Sequence, residues 1–433
     1  MTLRWTLSLA LAGALGGAAP LPAQDSVDAG VQVTLEEAIR RAIDVQPLMV
    51  QARGDGANAD AQRRAALGAF VPTLILSSST FRQNTPSIIN GFPVSSGAFQ
   101  FNSAATVRWD LFAGMRRLAR YRNASATQDA ADAGLVNQRF QVTLATKRMF
   151  YDALAREDLV RVAEAQVRRA RQQLQISVEK LRAGSATRSD SLRSTVDHGN
   201  ARISLLQAQA ALATAQANLG RQVGLDGPVR AVPDTALSAF PDTVGLRGAA
   251  DASAPSVAQA ESKARAAAAT VWDVRSLYWP TLSASLRTSS QGLTQPWAGF
   301  DSNRNQNSLT LQLDWTVFNG FARERDITDR GVTRDNLRAQ ARDERRRVSA
   351  ALTEQLAALT TSHAKIDISR ANVAAATEDL RVQQERYRVG AATILDLLTS
   401  QAALTQAEQG LVQARFDYLI ARAQVEALVG RAL

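Results

Sequence analysis

Chemistry in this 433-residue chain has to come from carboxylates, guanidiniums and two imidazoles, because cysteine is absent and only four methionines occur. Without a thiolate there is no cysteine nucleophile, no disulfide and no soft-ligand metal cluster. The two histidines, His198 and His363, have Leu404 and Glu157 at the positions 206 residues away, so neither joins the repeated pattern described below. No Gly-Lys-Thr phosphate loop, His-Glu-x-x-His zinc motif or Gly-x-Ser-x-Gly elbow occurs. The residues therefore argue against an enzyme and call for no cofactor and no metal. The carboxylates that do recur at fixed spacing are Asp190 and Asp396, each six residues after a glycine, Gly184 or Gly390. Placed in the first turn of a helix, such a carboxylate complements the helix dipole by about 0.3–1 kcal/mol. The glycines permit the left-handed geometry of a tight helix-to-helix turn.

Those aspartates sit in a segment that occurs twice. Lys180-Leu181-Arg182-Ala183-Gly184-Ser185-Ala186-Thr187 returns as Arg386-Tyr387-Arg388-Val389-Gly390-Ala391-Ala392-Thr393, at an offset of 206 residues. The same offset relates Trp109-x-x-Phe112-x-Gly114 to Trp315-x-x-Phe318-x-Gly320, and Val223-Gly224 to Val429-Gly430. Internal repetition on this scale describes one structural unit built twice rather than a chain of independent domains.

Residues 1–23 carry Arg4, a short apolar run from Trp5 to Leu15, and small residues and prolines ending at Ala23. This reads as a secretory signal peptide, since the run is shorter than the ~20 residues a spanning helix needs. Residues 24–224 form the first repeat, with helices within 34–68, strands 70–82 and 98–112, a long helix 114–183 and a return helix 188–224. Residues 225–249 read as a proline-punctuated linker. Residues 250–433 form the second repeat, with a helix 255–276, strands 280–290 and 306–319, a long helix 320–389 and a return helix 394–430. Thr34 and Glu37 read as a capping box, and Pro47 and Pro255 open alanine-rich helices. The net charge of +10 is spread along the helices and forms no basic cluster. It reads as a solvated basic face, suited to an acidic partner or to anionic lipid head groups, not as a nucleic-acid surface.

The long segments hold a seven-residue repeat. Val160, Val167, Leu174 and Leu181 recur with small residues Ala163, Ala170 and Ser177 three positions on, matched by Ile366, Val373, Leu380 and Tyr387. A strict repeat of seven implies coiled-coil packing, and about 70 residues of helix span roughly 100 Å. At the other end the strands alternate. From Phe99 to Leu111 the odd positions are mostly apolar and the even ones, including Arg108 and Asp110, mostly polar; Leu309 to Val317 does the same against Asp314 and its neighbours, and Leu282 to Leu286 against Arg287. A soluble sheet over a core would also alternate. Strand lengths of about 10–13 residues and aromatics gathered near the strand ends favour a lipid-facing sheet. Four strands cannot close a barrel, so they have to be pooled across subunits. The loops 83–97 and 291–305, rich in Gly, Ser, Asn and Pro, read as solvent-exposed. A non-conducting periplasmic scaffold of coiled-coil hairpins is the alternative reading.

Taken together, the Leu35-Glu36-Glu37-Ala38 opening with Ala42 and Pro47, the Trp-x-x-Phe-x-Gly strand ends, and Arg386 to Gln401 resemble the outer membrane efflux protein family, the TolC-like channels. The resemblance covers nearly all of the chain after residue 23. It implies an α+β membrane protein, a homotrimer whose pooled strands close one twelve-stranded outer-membrane barrel, continued by a long periplasmic α-helical coiled-coil barrel. It further implies a passive exit duct of a tripartite efflux or type I secretion system, docked by a periplasmic adaptor (membrane fusion protein) and an inner-membrane transporter, in the outer membrane of a Gram-negative cell. By the same resemblance Asp190, Asp396 and Tyr387, with Arg188 and Arg388, would form the periplasmic gate. Arg182, Gly184, Ser185, Thr187, Arg386, Gly390, Ala391 and Thr393 would be the adaptor-docking tips, and Arg108, Asp110, Arg287 and Asp314 would line the barrel lumen. The family's best-studied lock has an arginine two residues after the second glycine and an aspartate nine after it, where this chain has Ala392 and Thr399.

Overall fold

The computed structural model describes residues 31–82, 86–89, 92–95, 99–233, 245, 246, 248, 254–292 and 305–433. The segment read as a signal peptide and most of the loop 291–305 lie outside these residues. In chain order the elements are β1 (Val31–Val33), α1 (Leu35–Val45), α2 (Pro47–Gly68), β2 (Thr73–Arg82), β3 (Pro86–Ile89), β4 (Phe92–Ser95), β5 (Phe99–Ala113), α3 (Arg116–Arg182), α4 (Arg188–Val223), β6 (Val229–Ala231), α5 (Pro255–Arg275), β7 (Thr281–Gly292), β8 (Gln306–Asp314), α6 (Ala322–Arg388) and α7 (Ile394–Val429). The 67-residue helices α3 and α6 each fold back through a short turn into a 36-residue return helix.

The four long strands form one antiparallel sheet in the order β2-β5-β7-β8. Its register places Leu74, Val107, Leu286 and Leu309 in one cross-strand row and Leu282 beside Leu313 in another, all on the same face. That face is bare in the single chain, where Leu74, Leu309, Leu311 and Leu313 are each about two-thirds exposed (65–70%). Among the described residues, β2 and β8 pair on one side only. A bulge at Leu111 shifts β5 by one residue, so that Phe112, not Leu111, pairs with Leu282 and continues the apolar row.

Several expected boundaries move. The strand expected over 306–319 ends at Asp314, opposite Thr281, because Pro280 has no amide to continue the ladder. β5 runs on to Ala113 because β7 supports its other side. The long helices expected from 114 and 320 begin two residues later. Gly114 (φ 58°) and Met115 (φ 66°) form a left-handed pair that turns strand into helix, and Gly320 (φ 65°) with Phe321 (φ 64°) repeats it. Each elbow is fastened in the same way. The Trp109 indole donates to the Phe70 carbonyl (3.2 Å) and that of Trp315 to the Tyr278 carbonyl (3.1 Å). Arg117 donates to the Leu111 carbonyl above the Phe70 ring, as Arg323 does to Val317 above Tyr278. The loop 83–97 contains the β3-β4 hairpin, and the linker contains β6, which pairs in parallel with β1. Thr34 caps α1, but the Glu37 carboxylate turns to Arg41 (2.7 Å) and does not close a capping box.

The main core lies where α1, α3, α4, α7 and the β1-β6 pair meet, around Phe150, Leu219, Val223 and Val229. Next to it Glu426 is buried and pairs with Lys147 and Arg422, linking α3 to α7. A buried pair of this kind adds little net stability, but loss of one partner leaves an uncompensated buried charge.

The first elbow glycine, Gly114, is not equivalent to the turn glycines or to Gly320 at the second elbow. A Cβ on Gly114 would stand 2.4 Å from the Ser276 carbonyl oxygen, whereas one on Gly184 would meet nothing within 4 Å. Gly184→Ala is expected to cost about 1 kcal/mol of backbone strain, and Gly114→Ala about 3 kcal/mol or more from strain plus overlap. Thermal denaturation of the two variants in detergent checks the order.

Candidate functional site

The ends of the two helical hairpins, opposite the sheet, hold the recurring polar residues. α3 ends in a Schellman turn. The Ser185 amide donates to the Lys180 carbonyl (2.9 Å) and the Gly184 amide to that of Leu181 (3.0 Å), with Gly184 at φ 73°. The second tip repeats this with Ala391 to Arg386 (2.8 Å), Gly390 to Tyr387 (3.2 Å) and φ 80°. A capping box follows at once. The Asp190 carboxylate accepts from the Thr187 amide (3.0 Å) and hydroxyl (2.8 Å), while Thr187 Oγ1 accepts from the Asp190 amide (3.2 Å). Thr393 and Asp396 form the same box at 2.9, 2.8 and 3.2 Å. The hydrogen bonds from Thr393, backbone first, and the nearby Arg386 hold the Asp396 carboxyl below the ordinary carboxylate range.

Arg182, Gly184, Ser185, Thr187, Arg386, Gly390, Ala391 and Thr393 are all exposed. Arg188 is also exposed, and Arg388 is held by Glu385 one turn back (2.9 Å). Tyr387 sits elsewhere. It is only 7% exposed and packs with Leu380, Ile394, Leu397 and Leu404 between the hairpins. Lys180 lies 4.2 Å above its ring and donates to its carbonyl, so the cation of the first tip clasps the second hairpin. Ala392 packs against the same cluster, and the Thr399 hydroxyl turns back to the Leu395 carbonyl (2.8 Å).

Sequence reasoning missed a polar layer just behind the tips. The Ser177 and Ser194 hydroxyls meet at 2.8 Å with Gln173 donating to Ser177, all buried, and in the second hairpin Ser400 donates to Asp379 (2.5 Å). It also missed the Arg169 guanidinium, which joins the repeats by donating to Glu408 (2.9 Å) and Thr405 (3.2 Å). Position 169 had a signal, an arginine one residue before Ala170 of the seven-residue series, but its partner on α7 could not be chosen from the sequence.

At the sheet, Arg108, Asp110, Arg287 and Asp314 fall on one face, opposite the apolar rows, because their partners Ser285, Ser283, Ser308 and Thr281 alternate in register. Arg108 and Asp110 approach to 4.0 Å. His198 is half-buried on α4 and His363 stacks edge-on against Tyr418, with ring centroids 5.6 Å apart. Among the described residues no group of three or more His, Asp or Glu side chains could hold a metal ion, and no helix is long and apolar enough to cross a membrane.

With this geometry, two stretches of the chain, 38–225 and 246–431, match the family described as outer membrane efflux protein. The chain belongs to that family. Among curated proteins it is 27% identical over 326 residues to Protein CyaE of Bordetella pertussis, a match covering 71% of this chain and 65% of the relative. It is 25% identical over 130 residues to the outer membrane protein TolC of Escherichia coli, covering 30% of this chain and 26% of that protein. The chain thus matches less than two-thirds of the length of these curated relatives. Among solved structures, the outer membrane protein VceC of Vibrio cholerae has the same fold (TM-score 0.78, 17% identity, 92% of this chain and 96% of that one). So does CusC, whose structures concern folding and transmembrane channel formation (TM-score 0.82, 15% identity, 93% of each chain). The outer membrane efflux family is one of channels and not an enzyme class.

The depressed Asp396 pKa makes the cap of α7 sensitive to acid. A carboxylate whose folded value is depressed adds stability that is present above its unfolded value, about 3.9, and lost as pH falls through the folded one. Amide protection at the start of α7 is therefore expected to stay level from about pH 8 to 5 and to fall below about pH 4. Asp396→Asn should remove that acid limb, and hydrogen exchange followed by mass spectrometry reads both.

Proposed function

We propose that this chain is one third of a passive homotrimeric exit duct, its pooled strands closed into an outer-membrane barrel and its helices extended through the periplasm. The observation that carries the proposal is a contact made once inside the chain and left open once. On α3, Val162 and Ile176 pack in the clusters that hold Val412 and Leu398 of α7. Moving each by 206 residues gives Ile368 and Val382 on α6, and Leu206 and Leu192 on α4. All four are exposed, at 60%, 38%, 65% and 57%. One chain thus presents both halves of a second copy of its own helix contact, and α6 of one subunit against α4 of the next covers them. The Arg169–Glu408 position becomes Ala375 against Arg202, with Thr405 replaced by Gly199, so this seam is smoother than the one within the chain.

The sheet supports the same operation. β5 lies beside β7 within the chain, and its counterpart is β8 beside β2 of a neighbour. Residues 315–319 would then gain the support that lets β5 continue to Ala113. Two copies give eight strands and three give twelve, and the family resemblance favours three. In that arrangement Arg108, Asp110, Arg287 and Asp314 line the lumen, and the tips, with Asp190 and Asp396, form the periplasmic mouth and gate. A periplasmic adaptor docks on the exposed tip turns and an inner-membrane transporter supplies the energy.

The cysteine-free chain makes the seam directly testable. Val382→Cys combined with Leu192→Cys should give disulfide-linked oligomers under oxidation, and neither single variant should; a monomer from the double variant would overturn the seam. In planar bilayers the wild type should conduct as a heat-modifiable trimer, whereas a soluble monomer without conductance would favour the scaffold reading. Replacing Asp190 and Asp396 with Ala should raise closed-state conductance or weaken cation block, and unchanged recordings would leave the pair as caps alone. Gly184→Trp with Gly390→Trp should abolish export with the barrel still assembled, and an adaptor that still co-purifies would refute tip docking.

A further inference from the structure

A cleft of about 300 Å³ opens at the first elbow, between the start of α3 and the end of α5. Its walls combine large apolar side chains with two arginines. Trp272, Trp279 and Met115 are 62–70% exposed, and Phe112 joins them from the last apolar row of the sheet, where it pairs with Leu282 and through it with Leu313. The cleft is therefore continuous with the sheet face that reads as lipid-facing. Arg122 and Arg275 also line it, both exposed, and among the described residues neither guanidinium lies within 4.0 Å of a carboxylate. The neighbouring Asp273 is already taken by Arg120 (3.3 Å). Arg275 rests 5.5 Å from the Trp272 ring, which holds its charge at the mouth of the cleft.

The combination belongs to this elbow and not to elbows in general. The positions 206 residues on from Leu118 and Arg122 are Glu324 and Thr328, so the matching place in the second repeat has a carboxylate where this one has leucine and a neutral hydroxyl where it has arginine. Tryptophan beside arginine at the edge of an apolar surface is the pairing that settles at a membrane–water interface, with the ring at head-group depth and the guanidinium on phosphate.

We propose that this cleft holds one phospholipid of the periplasm-facing leaflet, its phosphate between Arg122 and Arg275 and its acyl chains running along Phe112 and the Leu282–Leu313 row. The proposal rests on the outer-membrane channel reading. The bound lipid would set the height of the elbow in the bilayer, because Trp272 and Trp279 stand on the same wall of the cleft.

Native mass spectrometry of the assembled full chain in detergent, titrated with dioleoyl-phosphatidylglycerol, tests it, with bilayer conductance recorded on the same preparation. The wild type should retain one lipid per chain. Arg122→Ala with Arg275→Ala should weaken retention about tenfold or more, as expected when charge-assisted hydrogen bonds are removed. Arg122→Lys with Arg275→Lys should restore most of it, and Thr328→Ala, at the matching elbow, should leave it unchanged. Dioleoyl lipid carrying brominated chains should quench tryptophan emission less in Trp272→Phe than in the wild type. A conducting preparation that binds lipid equally with and without the two arginines overturns the cleft alone, as does displacement of the lipid by soluble glycerol phosphate at equal concentration. A preparation that never conducts overturns the channel reading and the cleft with it.

Discussion

Among the described residues, the outer edges of β2 and β8 carry backbone amides and carbonyls that no strand pairs with. In water these groups would be solvated, but the apolar rows on the adjoining face suit hydrocarbon, where each unmatched group costs several kcal/mol. In the proposed assembly, copies of the same sheet would meet both conditions. The helices obey the same requirement in weaker form. Their open seams are apolar side chains instead of backbone, so a lone chain loses burial there and not hydrogen bonds. The bulge at Leu111 and the left-handed pair at Gly114 and Met115 re-aim the chain from strand into helix.

Much of this was legible in the residues. Period-two alternation from Phe99 onward and the seven-residue series in both long helices gave the element types, since each reports directly on which face is buried. The turn glycines and the aspartates behind them gave the tips, because left-handed geometry and helix capping are local. What escaped depends on neighbours. The bulge could not be read, since Leu111 and Phe112 are both apolar and either suits the lipid face. Met115 and Phe321 at positive φ run against the preference of non-glycine residues, and only the surrounding contacts impose them. The β1-β6 pair involves three residues on each side, too few for a pattern. Tyr387 was read by its resemblance to a gate residue, and its seven-residue position also marked it as part of the helix seam.

Asp190 and Asp396 illustrate how one group serves two descriptions. Each is bound in a capping box with its threonine, so its charge is fixed in place on an otherwise exposed turn. A cap of this kind holds a negative charge at a defined position on the hairpin tip, with Arg386 near that of Asp396. Ala392 and Thr399, which depart from the family's best-studied lock, are engaged in packing and in a backbone hydrogen bond. Closure that relied on the fixed carboxylates would not need them.

The paired Schellman turn and capping box at each tip also bear on the order in which the molecule can form. Both motifs are complete within about ten residues of chain, so each helical hairpin has a local point of nucleation, where starting a helix is otherwise the slow and unfavourable step. The β5-β7 pairing, by contrast, closes a loop containing all of α3, α4 and α5, and its entropic cost falls before any strand contact repays it. The geometry thus favours assembly that zips from the turns toward the sheet, leaving the aggregation-prone strands to be joined last, when the helices already hold them side by side.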